Sequence, residues 1–192
     1  MVQSKKLWAV VLGAMLTLAG CGDGDGGGGG NDNYTYTGRT VVIGGLTWMA
    51  ENLNRNTSNS WCYDGATSNC SKYGRLYTWD AAMNACPAGW RVPSRDEWKG
   101  LVDAVSGVAT ELKSSAPGWD GTDDLGFSAL PGGVRYGSSG SFASAGEMGY
   151  WWISTEDDPI GAWNRSMLSG NPIANENWHG KGNGLSVRCV KN

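Results

Sequence analysis

The stretch CPAGWRVPSRDEW, residues 86–98, decides the fold of this 192-residue chain because it joins the end of one helix to the start of the next. The preceding TWDAAMNAC has helical periodicity, and Pro87 ends that helix directly behind Cys86. Ser94 is a typical N-cap residue, and Glu97, three residues later, completes a capping box. The second helix then carries an apolar stripe formed by Trp98, Leu101, Val102 and Val105. The stretch therefore predicts two short helices with a cysteine at the corner between them.

Strand patterns surround this corner. TVVIGGLTWMAENL, residues 40–53, contains two apolar runs joined by Gly44 and Gly45, a pair typical of a tight hairpin turn. Further strands are predicted in YGRLYTW, FSALPGGVRY, GYWWIST, AWNRSML and GLSVRCVK. The pattern predicts an α+β domain with two short helices, small antiparallel sheets and long irregular loops.

The composition is that of one loop-rich domain. Hydrophobic residues make up 40% of the chain, enough for one core of ordinary size. Charged residues reach only 17%, whereas 31 glycines and 11 tryptophans are unusually many. We therefore expect residues 38–192 to form a single domain with many turns.

The N-terminal part has a different character. Lys5 and Lys6 precede the apolar run LWAVVLGAMLTLAG, which is typical of a secretory signal and short for a membrane span. This run ends in LAGC, which resembles the lipobox of bacterial lipoproteins, so residues 1–20 are predicted to be a signal peptide and Cys21 the lipid anchor. The alternative is cleavage elsewhere, with Cys21 a free thiol. Residues 21–37, rich in Gly and Asp, are predicted to be a flexible tether.

The charge of the remaining chain argues against nucleic acid as a partner. Without Lys5 and Lys6, 13 basic residues stand against 18 acidic ones, a net charge of about −5. Such a surface repels phosphate backbones, and it also repels anionic lipid headgroups. We therefore expect the membrane to be contacted through lipid on Cys21.

Four cysteines remain for disulfide bonds, as expected of an exported chain. Cys62 and Cys70 enclose a short turn-forming loop, which favours a local bridge and would leave Cys86 for Cys189. Spacing alone nevertheless leaves all three pairings open. A four-cysteine zinc site is the alternative, although the sequence has no close Cys-x-x-Cys pair.

Five ordered blocks carry a family resemblance: IGGLTWMAENL, YGRLYTWDAAM, CPAGWRVPSRDEW, GYWWISTE and SVRCVK. Together they closely resemble the Fibrobacter succinogenes major paralogous domain, over nearly all of residues 38–192. More distantly, the helix, corner and terminal RC pair resemble the C-type lectin and formylglycine-generating-enzyme superfold. That resemblance implies a C-type-lectin-like fold, in which a long-range bridge joins Cys86 to Cys189.

The wider resemblance suggests two activities, and the residues support neither directly. Calcium-dependent lectins carry Glu-Pro-Asn or Gln-Pro-Asp followed by Trp-Asn-Asp, whereas this chain has EDDPIG and ENWHG. Formylglycine-generating enzymes need two active cysteines near the end of the chain, and only Cys189 lies there. No cofactor is therefore expected, with calcium as the alternative because it accepts six to eight oxygen ligands in flexible geometry. The oxygen-bearing side chains that could hold it are Glu156, Asp157, Asp158, Asn175, Glu176 and Asn177.

Catalytic patterns are weak in this sequence. His179 is the single histidine, and no nucleophile elbow accompanies it, so we expect it to be a loop residue. Asp123 and Asp124 are adjacent carboxylates, whereas a glycosidase needs two carboxyl groups on opposite sides of a cleft. A non-enzymatic protein is expected.

The tryptophans provide the remaining functional signal. Those in predicted elements, namely Trp48, Trp79, Trp90, Trp98 and Trp151, are expected in the core. A sugar ring could instead stack on tryptophans that lie among Gly, Asp and Asn. The predicted ligand-binding residues are Trp119, Asp120, Asp123, Asp124, Trp163 and Trp178.

These observations predict an extracytoplasmic lipoprotein of the bacterial envelope, most simply of the outer membrane. Its domain would be a non-enzymatic binding or surface-structural module, with a glycan or another surface polymer as ligand. The alternatives are a polysaccharide-active enzyme and a purely architectural envelope protein.

Overall fold

A computed structural model describes residues 34–192, and within that range it contains three short helices and eleven strands. The helices are α1 (Thr67–Tyr73), α2 (Trp79–Ala85) and α3 (Arg95–Asp103). The strands are β1 (Thr40–Ile43), β2 (Leu46–Met49), β3 (Ser60–Trp61), β4 (Leu76–Tyr77), β5 (Trp90–Arg91), β6 (Val134–Arg135), β7 (Phe142–Ala143), β8 (Met148–Glu156), β9 (Gly161–Leu168), β10 (Asn175–Gly180) and β11 (Val190–Lys191).

The predicted corner between two helices is confirmed. The Thr78 side chain accepts a hydrogen bond from the amide of Ala81 at the start of α2, and that helix ends at Ala85. Ser94 and Glu97 form the predicted capping box at the start of α3. The corner therefore fixes both helices through local hydrogen bonds that the sequence encodes directly.

The sequence predicted two helices, whereas the described residues form three. Residues 67–73 form α1, although the sequence between Cys62 and Cys70 was expected to be a loop. The segment TSNCSKY has no apolar stripe, and helix periodicity is therefore not visible in it. Its buried residues are Cys70 and Tyr73, so the helix is held by the domain rather than by its own propensity.

Two antiparallel sheets organise the domain. The first has the order β1-β2-β11-β5, and the predicted hairpin turn joins its first two strands, with positive φ at both Gly44 and Gly45. The second has the order β10-β9-β8 and contains the longest strands. Two small two-stranded sheets, β3-β4 and β6-β7, complete the described part of the chain. The mixture of short helices and antiparallel sheets confirms the α+β class.

Large aromatic side chains fill the core. Trp48, Trp98 and Trp151 are fully buried in one cluster, in which the Trp48 and Trp98 rings meet edge to face 5.3 Å apart. A second cluster contains the buried Trp79, with the partly buried Trp90 packed against it. The prediction that these five tryptophans belong to the core is therefore confirmed, with Trp90 at its margin.

Both disulfide bonds predicted for the domain are present. Cys62 is bonded to Cys70, and Cys86 at the end of α2 is bonded to Cys189 beside β11. All four sulfurs are thus used in disulfides, which overturns the zinc alternative. The second bond closes a loop of 103 residues.

The predicted signal peptide, the lipid anchor at Cys21 and most of the predicted tether lie outside the described residues. The last part of that tether, from Tyr34, is described and packs on the domain. The Tyr36 ring lies edge to face on Trp90 at 5.4 Å, and the Arg55 guanidinium lies over the Tyr34 ring at 5.2 Å. The folded part therefore begins before the boundary predicted at residue 38. Within residues 34–192, none of the helices combines the length and apolarity needed to span a bilayer.

Candidate functional site

Trp119 does not lie on a ligand face, and its prediction as a binding residue was wrong. Its side chain is 1% exposed, and its indole N–H donates to the carbonyl of Ala129 at 2.8 Å. The ammonium of Lys113, itself fully buried, lies 5.0 Å from the ring centre. A ring enclosed in this way cannot stack on a sugar. Trp119 instead packs the loop between α3 and β6 against the core.

The neighbouring aspartates have the same internal role. Asp120 accepts a hydrogen bond from the Lys113 ammonium at 3.0 Å. Asp123 accepts from both the amide and the hydroxyl of Ser128. Asp124 is exposed, but the tryptophan that was to accompany it is buried. Residues 119–124, predicted as a ligand face, therefore make internal contacts that stabilise their own loop.

Trp163 and Trp178 lie directly opposite each other on β9 and β10. Trp178 is 43% exposed, and its ring lies against Gly161, where a Cβ atom would overlap the indole. Because the glycine leaves this space, one face of the Trp178 ring rests on the strand and the opposite face is directed to solvent. Trp178 is thus a flat aromatic platform at the edge of the sheet.

Arg95, the first residue of α3, covers the ring of Trp163. Its guanidinium lies 4.4 Å from the ring centre, a cation–π arrangement. The Arg95 Nε donates to Glu176 Oε1 at 2.8 Å, and its Nη2 contacts the same oxygen. This hydrogen bond to Glu176 raises the pKa of Arg95 above its ordinary value. Trp163 is therefore shielded by a cation, and Trp178 presents the open ring.

Glu176 also receives a second cation. Arg165 Nη2 lies 3.0 Å from Glu176 Oε2, and the two residues face each other across β9 and β10. Arg165 is 9% exposed, and this burial lowers the pKa of its guanidinium. Glu176 therefore binds two arginines rather than a metal ion.

These side chains border an open cleft between α3 and the β9–β10 edge, with a volume of about 520 Å³. Its lining residues are Arg95, Asp96, Lys99, Val102, Asp103, Arg165 and Glu176. Trp178 stands two residues along β10 from Glu176 on the same face of the sheet. The cleft and the platform are therefore parts of one surface, which we name the Trp178 surface: Trp163, Trp178, Arg95, Arg165 and Glu176.

The six predicted calcium ligands are not gathered around one point. Glu156 pairs with Lys181 at 3.0 Å, and Asp158 accepts hydrogen bonds from the amides that follow it in the β8–β9 turn. Asn177 donates to the Ser166 hydroxyl at 2.6 Å. Asp157 lies in the same turn as Asp158, and Asn175 is exposed at the start of β10. Across residues 34–192, no group of three or more His, Cys, Asp or Glu side chains is placed to hold a metal ion, so the calcium site is not supported.

His179 lies on the opposite face of β10 from Trp178, in a strand where a loop was expected. Its Nδ1 is 2.9 Å from Asn164 Nδ2, and the Tyr150 ring packs edge to face on its ring at 5.2 Å. Burial lowers the pKa of His179, which favours the neutral ring. The histidine thus has a packing role on the sheet and does not face the cleft.

The sequence predicted Trp163 and Trp178 as ligand-binding residues and Glu176 as a calcium ligand, and it missed the three residues that shape the surface. Arg95 and Arg165 were seen only as parts of a helix start and a strand. Gly161 carried a signal in principle, because a glycine inside a strand pattern indicates close approach of another group. The sequence does not show which side chain approaches Gly161, because this depends on how β10 pairs with β9.

The fold and surface define a small disulfide-linked α+β domain with an exposed tryptophan beside a cleft of mixed charge at one sheet edge. The chain belongs to the Fibrobacter succinogenes major domain family, whose model matches residues 41–191. This confirms the family resemblance seen in the five sequence blocks. No curated protein and no solved structure matches the chain.

Proposed function

We propose that this protein is a membrane-anchored extracytoplasmic lipoprotein whose domain binds a glycan without modifying it. The observation that carries the proposal is the Trp178 platform, which rests on Gly161 and is 43% exposed. The C–H face of a pyranose stacks on an open indole face, and neighbouring charged groups bind its hydroxyls. Arg95 and Glu176 stand beside the platform in this way.

Two features favour binding over catalysis. Glu176 is held by two guanidinium groups at once, so that both of its carboxylate oxygens already have arginine partners. His179 faces away from the cleft. A hydrolase would instead need a pair of carboxyl groups with separate acid and base roles.

The proposal also includes the location of the protein in the bacterial envelope. Lys5 and Lys6, the apolar run and the LAGC motif support lipidation of Cys21, and the glycine-rich segment would then hold the domain away from the bilayer. The two disulfides suit an oxidising compartment. A C-type-lectin-like arrangement is part of the proposal, supported by the bond between the end of α2 and the last strand.

The test is a glycan array probed with the full chain in detergent, with calcium and with a chelator. The Trp178→Ala variant should lose about tenfold or more in affinity for any glycan that binds, as expected for an aromatic anchor. Tyr136→Ala is the matched control. Tyr136 is also 43% exposed, but it directly follows β6 and is not part of the β9–β10 sheet edge. Binding should not depend on calcium.

The outcomes separate the three functions. Glycan binding that disappears in Trp178→Ala and survives in Tyr136→Ala supports the proposal. Release of sugar from the array or from polysaccharide over time would replace it with an enzyme. No binding to any glycan, with intact fold, would leave an architectural protein and overturn it.

A further inference from the structure

A cation contacts both sulfurs of the Cys62–Cys70 disulfide. Arg75 Nη1 lies 3.6 Å from the Sγ atom of each cysteine. The other guanidinium nitrogens, Nε and Nη2, donate to the hydroxyl and the carbonyl of Ser60 at 3.0 and 3.1 Å. Within residues 34–192, no carboxylate lies at ion-pair distance from Arg75. The positive charge of Arg75 therefore faces two neutral sulfur atoms.

This contact becomes stronger when the disulfide is reduced. A disulfide sulfur is a weak hydrogen-bond acceptor. A thiolate is an anion, and it accepts a charge-assisted hydrogen bond from a guanidinium group. An arginine beside a cysteine accordingly favours the thiolate over the thiol. Because stabilising the reduced form raises the reduction potential, Arg75 makes this disulfide easier to reduce.

The Cys86–Cys189 disulfide has different surroundings. Cys189 is fully buried in the second hydrophobic cluster, and Cys86 packs against that cluster. Apolar surroundings disfavour a thiolate. Neither hydrophobic cluster among residues 34–192 includes Cys62 or Cys70. The structure therefore distinguishes a disulfide of the core from a disulfide that a cation prepares for reduction.

The sulfurs of the Cys62–Cys70 bond become accessible when α1 opens. Cys62 and Cys70 are 7% and 5% exposed, so a reductant does not reach them in the closed loop. Helix α1 has seven residues, of which two are buried, and segments with so few buried contacts open without global unfolding. Arg75 lies outside α1, and its amide donates to the carbonyl of Leu53 at 3.0 Å. Opening of α1 therefore exposes the bond while the hydrophobic clusters stay folded.

We propose that Cys62 and Cys70 form a site of reversible thiol–disulfide exchange with a dithiol. One thiolate of the dithiol attacks a sulfur of the bond, and the other sulfur leaves as a thiolate beside Arg75. The second thiol of the dithiol then breaks the mixed disulfide and becomes part of a new disulfide in the reductant. Two electrons pass to this chain, and the two protons of the dithiol go to the second cysteine and to solvent. Reduction removes the covalent closure of α1 and leaves the Cys86–Cys189 bond intact.

The experiment equilibrates the full chain in detergent at pH 7 with reduced and oxidised dithiothreitol at a series of ratios. Alkylation of free thiols, followed by peptide mass analysis, reports each disulfide separately. In the wild-type protein, Cys62–Cys70 should be half reduced at a ratio of reduced to oxidised dithiothreitol at least about tenfold lower than Cys86–Cys189. Arg75→Met should raise that ratio for Cys62–Cys70 about tenfold, which equals about 30 mV for a two-electron couple. The ratio for Cys86–Cys189 should not change.

Lys72→Met is the matched control, because Lys72 is a cation of α1 whose Nζ lies over the Tyr73 ring at 4.7 Å. It should leave both midpoints unchanged. If Arg75 only held the loop in place, its loss would loosen the loop and make the bond easier to reduce. A lower or unchanged ratio for Cys62–Cys70 in Arg75→Met would therefore overturn the proposal.

The wild-type protein provides a second test that does not depend on the folding of a variant. If Arg75→Met shifts the Cys86–Cys189 midpoint, the fold of that variant is disturbed, and the comparison of the two disulfides in the wild-type protein decides. Reduction of Cys86–Cys189 at the same ratio as Cys62–Cys70, or at a lower one, would overturn the proposal. Reduction of Cys62–Cys70 at the lower ratio would support it.

Discussion

Glu97 stabilises both the start of α3 and the contact between α3 and β5. Its carboxylate accepts a hydrogen bond from the amide of Ser94 at 2.8 Å, which completes the cap of α3. The same carboxylate receives both terminal nitrogens of Arg91 on β5. The Arg91 guanidinium is the main cause that lowers the pKa of Glu97 to about 2.

The lowered pKa of Glu97 makes the free energy of unfolding depend on pH. A carboxyl whose pKa is lower in the folded state stabilises the protein above its unfolded pKa of about 4.3 and stops doing so as pH falls toward 2. Glu97→Gln should therefore lower the free energy of unfolding by about 1 kcal/mol at pH 7, because the ion pair with Arg91 is lost while an amide can still cap α3. Urea unfolding of both proteins between pH 7 and pH 2.5 measures this difference.

The control is Glu111→Gln, a substitution outside the capping box. It should leave unfolding nearly unchanged at every pH. A constant difference between Glu97→Gln and wild type from pH 7 to pH 2.5 would contradict the role assigned to the carboxylate.

Burial of single residues was the least predictable feature at this scale. Trp119 and Trp178 both lie among Gly, Asp and Asn in the sequence, yet one is enclosed and the other is open. The difference comes from partners distant in sequence, because the Lys113 ammonium that lies over Trp119 also donates to the carbonyls of Leu168 and Asn171. Local composition contains no information on such contacts.

At the level of elements, patterns with local causes were predicted well. The β1–β2 hairpin depends on two glycines with positive φ, and α3 depends on its capping box, so both can be identified from neighbouring residues. Helix α1 and strand β10 could not be identified, because TSNCSKY and NENWHG lack apolar periodicity. These two elements are instead stabilised by a disulfide and by pairing with β9.

The two disulfides join elements at very different distances along the chain, so their removal should have unequal effects. On the chain-entropy model, the bond between Cys86 and Cys189 contributes about 4.7 kcal/mol and that between Cys62 and Cys70 about 2.5 kcal/mol. The double variant Cys86→Ala/Cys189→Ala should therefore unfold at a lower urea concentration than Cys62→Ala/Cys70→Ala. Equal midpoints, or the reverse order, would show that native packing around the sulfurs outweighs loop closure.

For the whole molecule, the proposed lipid anchor at Cys21 would limit how far the domain can lie from a bilayer. Tyr34 and Tyr36 pack on the domain, which shortens the predicted tether to residues 21–33. Thirteen residues reach about 40 Å when fully extended, at about 3.3 Å per residue. If Cys21 carries lipid as proposed, the domain would remain within that distance of a bilayer and would reach polymers near the membrane surface.

This geometry requires that Cys21 carry lipid, and the requirement can be tested in cells. Wild-type protein should sediment with membranes, because several acyl chains bind a bilayer far more tightly than one. Cys21→Ser should move nearly all of the protein to the soluble fraction, because the chain after residue 20 has 13 basic and 18 acidic residues and is repelled by anionic headgroups. The double variant Cys62→Ala/Cys70→Ala, which removes two other cysteines, should still sediment. Membrane association of Cys21→Ser that resists high salt would refute lipid anchoring and would indicate that the apolar N-terminal run is retained as the anchor.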